Sequence, residues 1–305
     1  MESTQEPKDT TFRVYTSNQA ATYAANRGEH PDELNQTIIE YHISTKGSFD
    51  TLLDVGCGPG NSTRGFAKFF RTAIGADPSP SMIEQARKLP GNKSIRFESA
   101  TSETLDTIPD LARGSVDLLT AGAAAHWFDM SKFWAQAAKI LKPGGTVAIW
   151  TQASLYCHPE TTPNAAKVQE ILHWLEFVEL EPYRRTGDKL YKDLPLPWQV
   201  DPKVPEFAEE DHLRRVWNED GKIEPGERFM RQKEITLQEF ADASATASTV
   251  TKWREAHPEL VGTEKDCVNV AVRKLKEAPG HPDCDMAFDG GCSIVLLLFK
   301  KRTVE

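Results

Sequence analysis

The strongest constraint on the fold of this chain is a glycine-rich turn that joins an apolar strand to a helix. Residues 52–62 read LLDVGCGPGNS, which places glycines at Gly56, Gly58 and Gly60. Glycine adopts positive φ without strain, and because it has no Cβ a ligand can lie against its backbone. The segment therefore predicts a ligand site where the carboxyl end of a strand meets the start of a helix.

The first half of the chain repeats a strand, a turn marked by glycine or proline, and a helix-like stretch. The strand-like runs are residues 51–55, 72–75, 116–120 and 146–150, with a weaker run at 95–98, and helical patterns cover 62–70, 79–89 and 130–141. Strands that alternate with helices pair in parallel through right-handed crossovers. The pattern predicts an α/β fold with a doubly wound, mostly parallel sheet.

The regular alternation stops after residue 150. Residues 151–227 are rich in Pro, Trp, Tyr and mixed charge, which predicts a cap insertion that holds substrate. A strand at 229–235, helical patterns over 236–256 and 264–278, and an apolar strand at 293–299 follow. We therefore predict a cofactor-binding core with an N-terminal helical segment (1–150), the cap (151–227) and a C-terminal part that completes the sheet (228–305).

Asp77 stands 17 residues after Gly60, at the end of the second predicted strand. A carboxylate there can accept hydrogen bonds from both hydroxyls of a ribose, so the turn and the acid together predict a nucleoside ligand. A dinucleotide dehydrogenase would carry G-x-G-x-x-G, whereas this turn reads G-x-G-x-G.

Asp54 is a second departure from the dehydrogenase pattern. A buried carboxylate at that place needs a partner, and the ammonium of a methionine moiety would supply one, directly or through water. A turn with no ligand is disfavoured, because Asp54 and Asp77 would then lie near one edge without obvious partners.

The charge and the cysteines exclude several classes of protein. The net charge of −9 opposes a polyanionic partner, and the basic clusters are short, so we expect no nucleic acid as substrate. No apolar run approaches the ~20 residues that span a bilayer, so we expect no membrane association. The five cysteines show no C-x-x-C spacing, which indicates neither a disulfide framework nor a metal site. We expect a cytoplasmic location; the oligomeric state does not follow from the sequence.

The segment DVGCGPG at residues 54–60 resembles the cofactor motif of the class I S-adenosylmethionine-dependent methyltransferases. The resemblance implies a Rossmann-like fold with a seven-stranded sheet, S-adenosylmethionine as cofactor and S-adenosylhomocysteine as product. It implies that Gly56, Gly58 and Gly60 contact the methionine part and that Asp77 contacts the ribose. Where the family usually has an Asp at the adenine edge, this chain has Thr101 and Ser102. The other contacts that the resemblance implies are Pro78 and Met82 at the adenine, and Ala121 and Gly122 at the sulfonium.

A closer likeness is to the fungal trans-aconitate methyltransferase group, which includes the gliotoxin bis-thiomethyltransferases. It rests on residues 23–34 (YAANRGEHPDEL), 125–133 (AHWFDMSKF), 141–150 and 231–241 (RQKEITLQEFA). By that resemblance Arg27 holds the cofactor carboxylate and Tyr23 packs over it. The alternative for Arg27 is an exposed arginine beside Glu29.

Methyl transfer from a sulfonium is an in-line displacement, so the protein aligns the nucleophile, excludes water and, where needed, removes a proton. His126 and Trp127 follow the strand at 116–120, where open α/β sheets place their ligands. His126 is either a general base or a loop-capping residue, and Trp127 either contacts substrate or fills the core. In the cap, Tyr156, Trp174 and Tyr183 either enclose an apolar acceptor or serve as packing residues.

The small-molecule acceptor stays open between a thiol and a carboxylate. The aromatic cap, and the lack of an identifiable paired-arginine clamp for a polycarboxylate, favour thiol S-methylation of a fungal dithiol in secondary metabolism. Carboxyl O-methylation of trans-aconitate-like acids is the alternative. The rival hypotheses are a non-catalytic regulator that keeps the cofactor pocket, a methyltransferase acting on protein or RNA, and a dehydrogenase.

Overall fold

Strands and helices alternate through the first half of the chain. The computed structural model describes residues 30–91, 95–278 and 287–302. The strands are β1 (Thr51–Val55), β2 (Thr72–Asp77), β3 (Ile95–Ser99), β4 (Val116–Gly122), β5 (Leu141–Cys157), β6 (Leu213–Trp217), β7 (Gln232–Thr236) and β8 (Ala287–Lys300). The α-helices are α1 (Asp32–Ser44), α2 (Asn61–Ala67), α3 (Pro80–Lys88), α4 (Met130–Ile140), α5 (Ala165–Trp174), α6 (Leu237–Ala245), α7 (Ser248–Ala256) and α8 (Cys267–Glu277).

The eight strands of the described residues form one mostly parallel sheet. Its order is β3-β2-β1-β4-β5-β8-β6, and β7 pairs with β8 outside this path. β1 to β5 pair in parallel, whereas β7 is antiparallel to β8. The order reverses between β1 and β4, and open α/β sheets bind ligands at the carboxyl ends of strands at such a reversal. The predicted fold class is confirmed. The topology predicts a ligand site at the carboxyl ends of β1 and β4.

The central parallel strands β1, β2 and β4 are buried along nearly their whole length. Four consecutive residues of β1, five of β2 and six of β4 are buried. Successive side chains of a strand point to opposite faces, so consecutive burial means that both faces of the sheet are covered. This explains why these strands read as continuous apolar runs in the sequence.

Local signals account for the helix boundaries. α3 begins after Ser79, whose hydroxyl caps the helix, with a proline in the first turn. α6 begins with a capping box between Thr236 and Glu239. The stretch 236–256, predicted as helical, is divided into α6 and α7. The hydroxyl and the backbone N–H of Thr246 both donate to Ala243 O, which closes the last turn of α6.

The chain divides into two compact units. Of the described residues, the first contains 30–151, 191–215 and 296–302, and the second contains 152–190 and those between 216 and 295. The first unit holds the glycine turn and the parallel strands β1 to β4. The second unit has its own apolar cluster, which includes Leu172, Trp253 and Val268. The division into domains at 1–150, 151–227 and 228–305 stays a prediction. Each of the two compact units takes residues from more than one of these segments.

None of the helices within residues 30–91, 95–278 and 287–302 combines the length and the apolar character that crossing a bilayer requires.

Candidate functional site

The glycine turn after β1 adopts backbone angles that favour glycine at three positions. Gly56, Gly58 and Gly60 have φ of +68°, +53° and +85°. The Gly56 N–H donates to Ala76 O at 2.8 Å, which ties the turn to β2. A Cβ on Gly56 would lie 2.6 Å from Ala124 Cβ, whereas one on Gly58 would meet no atom of the described residues within 4 Å. The backbone at Gly58 therefore faces open space.

Asp77 ends β2 with both carboxylate oxygens bonded to backbone. Its Oδ2 accepts the Gly58 N–H at 2.9 Å, and its Oδ1 accepts the Ser79 N–H at 2.8 Å. These charge-assisted bonds hold the glycine turn against the end of β2. The premise that Asp77 would lack partners without a ligand is wrong, because the turn itself supplies them. Each carboxylate oxygen can accept a further bond, so ribose hydroxyls can still bind.

Asp54 lies behind the turn and is fully buried. Its Oδ2 accepts the Thr63 hydroxyl at 2.6 Å and its Oδ1 accepts the Thr120 hydroxyl at 2.8 Å. The premise of a missing partner is therefore wrong for Asp54 as well. Burial raises the pKa of Asp54 to about 6, although both hydroxyls oppose the shift. The carboxyl is therefore a group that titrates close to neutral pH.

Asp54→Asn should stabilise the ligand-free protein at alkaline pH. A raised pKa means that the folded state binds the proton more tightly than the unfolded chain. The stability that the protonated carboxyl contributes to the wild type is fully present below the unfolded pKa of 3.8. It is lost as the pH rises through the folded pKa of about 6. We expect the variant to exceed the wild type by up to about 3 kcal/mol of unfolding free energy near pH 8, and by nothing near pH 3. Urea titrations at both pH values measure this, and an equal difference at both would contradict the assignment.

The other predicted cofactor positions in the described residues lie at the same edge of the sheet. All but one of them end or follow one of the strands β2, β3 and β4, and Met82 lies in the first turn of α3. A Cβ on Gly122 would lie 2.5 Å from the Trp150 ring, which explains the glycine at the end of β4. Tyr23 and Arg27 lie outside the described residues. The positions gathered at this edge are Pro78, Met82, Thr101, Ser102, Ala121 and Gly122.

His126 lies in a short 3-10 turn, Ala125–Trp127, that follows β4. Its Nδ1 is 3.2 Å from the Tyr191 hydroxyl, and its ring centroid is 5.2 Å from that of Trp127. Desolvation lowers the pKa of His126, whose side chain is half-buried, to about 4, so the imidazole is neutral at physiological pH. So weak a base is poorly matched to a thiol proton, which favours an orienting role for His126.

The aromatic residues predicted in the cap lie in the second unit. Tyr156 packs on Gly221, where a Cβ would lie 2.4 Å from the tyrosine ring. The Lys274 ammonium lies 3.5 Å from the centre of the Trp174 ring, and Tyr183 packs against the apolar cluster of this unit. All three therefore have packing contacts, and acceptor contact by them stays a prediction.

Comparison with known proteins decides the family. The family described as "Methyltransferase domain" matches residues 53–149. A methyltransferase of Dictyostelium discoideum is 31% identical over 191 residues, which cover 62% of this chain and 68% of that protein. The chain belongs to the class I S-adenosylmethionine-dependent methyltransferases. S-adenosylmethionine is therefore its cofactor, and the resemblance seen at residues 54–60 is confirmed at the level of the superfamily.

The likeness of this methyltransferase to other proteins extends beyond the matched domain. A Saccharomyces cerevisiae protein named as an S-adenosylmethionine-dependent methyltransferase is 27% identical over 299 residues, covering 93% of this chain and 96% of that protein. The solved structure of a type II methyltransferase from Anaeromyxobacter dehalogenans has a TM-score of 0.61 at 21% identity, covering 90% of this chain and 97% of that one. The structural likeness supports the fold.

Three hydroxyl groups contact the acidic and imidazole side chains of the candidate site, and the sequence did not predict them. Thr63 and Thr120 hold Asp54 from α2 and from β4, and Tyr191 contacts His126 from a stretch without regular periodicity. Thr63 lies only nine residues after Asp54, just beyond the glycine turn, so its position in the sequence is a local signal for this contact. Thr120 and Tyr191 carry no local signal, because their contacts span 66 and 65 residues of chain.

Proposed function

We propose that this methyltransferase binds S-adenosylmethionine across the carboxyl ends of β1, β2 and β4 and transfers its methyl group to a small-molecule acceptor. The observation that carries the proposal is the open backbone at Gly58 beside the Asp77 carboxylate. When bound, the cofactor supplies a methyl group activated by a sulfonium. The protein has to hold it, align the acceptor and exclude water.

The roles of the individual residues follow from charge and position. Asp77 accepts hydrogen bonds from the ribose hydroxyls while it keeps the turn in place. Asp54, once ionised, attracts the ammonium of the methionine part, either directly or through a bridging water. Pro78 and Met82 pack on the adenine, and Arg27 holds the carboxylate with Tyr23 over it. Asp54→Asn should therefore weaken cofactor binding even where it stabilises the fold.

An acceptor that is already ionised suits His126 better than one that must lose a proton. A thiol of pKa ~8.5 would have to protonate an imidazole of pKa about 4, which is uphill by about 6 kcal/mol. A carboxylate needs no base at neutral pH. This supports carboxyl O-methylation of a small acid, as in the trans-aconitate group, over the thiol S-methylation that the aromatic cap favours.

The pH dependence of transfer distinguishes the two acceptors. With a carboxylate acceptor and saturating cofactor, we expect the rate to change less than about twofold between pH 7 and 9, because neither His126 nor the acceptor titrates there. With a thiol acceptor the rate should rise about tenfold per pH unit below pH ~8.5, because the thiolate is formed in solution. Initial rates by mass spectrometry of the product measure both profiles.

An acceptor screen tests the function itself. Small dithiols and tricarboxylates are offered separately with S-adenosylmethionine, and methylated products are detected by mass. Product on tricarboxylates alone supports the carboxyl acceptor, and product on dithiols alone supports S-methylation. Cofactor binding without turnover on any member of a broad metabolite panel would favour the non-catalytic regulator.

A further inference from the structure

A single arginine joins the glycine turn to the segments that follow it. Arg64, on α2, donates from Nη1 to Pro59 O at 2.7 Å and from Nη2 to Ala86 O at 2.7 Å. Its Nε donates to Pro90 O at 3.2 Å. These carbonyls belong to the glycine turn, to the last turn of α3 and to the chain beyond α3. A planar guanidinium, with its donors in a fixed fork, suits such simultaneous contacts.

The Phe97 ring completes this junction from β3. The guanidinium carbon of Arg64 lies 5.4 Å from the centre of the ring, which is buried. A Cβ on Gly60 would lie 2.6 Å from the ring and 2.9 Å from Arg64 Nη1. Phe97 also packs in a small apolar cluster with Cys57, Ile83 and Ala86. The glycine turn thus packs against α3 and β3 through an apolar cluster. Arg64 contacts the same turn, helix and strand through its guanidinium.

The contact with Ala86 also completes the end of α3. The last carbonyls of a helix have no partner within the helix, and a positive charge near them is favourable. Arg64 supplies both a donor and a charge at that place. At its other end α3 is capped by Ser79, whose N–H donates to Asp77 Oδ1. A shift of α3 would therefore move both Met82 and the Asp77 carboxylate, which is proposed to bind the ribose.

We propose that Arg64 is a positioning residue that sets the glycine turn and α3 at the separation required by the two ends of the cofactor. The turn takes the methionine part and α3 takes the adenine, so this inference rests on the proposed cofactor position. Arg64 acts on the cofactor through Pro59 and α3, since its described hydrogen bonds are to protein carbonyls.

Three variants test the proposal: Arg64→Met, Arg64→Lys and, as a control, Arg71→Met. Arg71 is 74% exposed and faces Asp50 at 3.5 Å, outside the turn. Calorimetry measures Kd for S-adenosylmethionine and S-adenosylhomocysteine, and hydrogen exchange follows the peptide over residues 55–64. We expect Arg64→Met to raise both Kd values at least about tenfold and to accelerate exchange in the turn of the ligand-free protein. Arg64→Lys should lie between it and the wild type, and Arg71→Met should match the wild type.

The outcomes separate this inference from the cofactor position on which it rests. Wild-type Kd values in Arg64→Met would overturn the positioning role. Weaker binding with faster exchange spread equally over β1 to β4 would also overturn it, since Arg64 would then serve general stability. If Arg64→Met does not fold, Arg64→Lys decides on the same two measurements. Full-strength binding by Asp77→Ala, with weakened binding by Arg64→Met, would reject the ribose site and leave the role of Arg64 standing.

Discussion

Asp77→Ala should raise the Kd for S-adenosylmethionine at least about 100-fold, equivalent to about 2.8 kcal/mol of binding free energy. The variant loses the carboxylate proposed to accept the ribose hydroxyls, and it leaves the N–H groups of Gly58 and Ser79 without their acceptor. The turn then loses one of its hydrogen bonds to β2, while the Gly56 N–H keeps its bond to Ala76 O, so the ligand-free protein loses part of its pre-organisation as well as a ligand contact. Isothermal calorimetry with S-adenosylmethionine and S-adenosylhomocysteine measures the effect.

The control for Asp77→Ala is Glu84→Ala, which removes a carboxylate from the exposed side of α3. Glu84 is 52% exposed and pairs with Lys88. We expect that variant to bind both cofactor forms as the wild type does, because exposed ion pairs contribute little. Unaltered affinity in Asp77→Ala would refute the placement of the ribose at the end of β2.

Gly56→Ala should destabilise the fold by about 2–5 kcal/mol. A non-glycine residue at positive φ costs roughly 1–2 kcal/mol, and overpacking a close contact costs about 1–3 kcal/mol more. At Gly56 both apply, since φ is +68° and the new Cβ would lie 2.6 Å from Ala124 Cβ. Ala124 adjoins the 3-10 turn that carries His126. The backbone shift that relieves the clash should therefore also displace His126, which is proposed to lie near the acceptor. Urea denaturation gives the change in unfolding free energy.

Gly144→Ala separates the two causes. Gly144 has φ of +75°, and a Cβ there would meet no atom of the described residues within 4 Å. It therefore carries the backbone strain without the clash, and we expect a loss of only about 1–2 kcal/mol. Equal losses in the two variants would show that the contact with Ala124 has no energetic weight.

Much of the first unit could be predicted from the sequence because its signals are local. Glycines at 56, 58 and 60 are required by backbone angles within the turn itself. The bounds of β1 are those predicted, because its apolar run ends at the turn. The second half was less predictable: the break between α6 and α7 depends on a turn at Thr246, which interrupts a stretch that is helical on both sides.

The sequence by itself determined the α/β class, the glycine turn and the acid at the end of β2, since each follows from neighbouring residues and their periodicity. Only the tertiary structure decided what those groups contact. Hydroxyls from α2 and β4 contact Asp54, the backbone of the turn holds Asp77, and desolvation lowers the pKa of His126. Hydrogen-bond partners, burial and pKa depend on residues brought together across long stretches of chain, and no local pattern encodes that proximity.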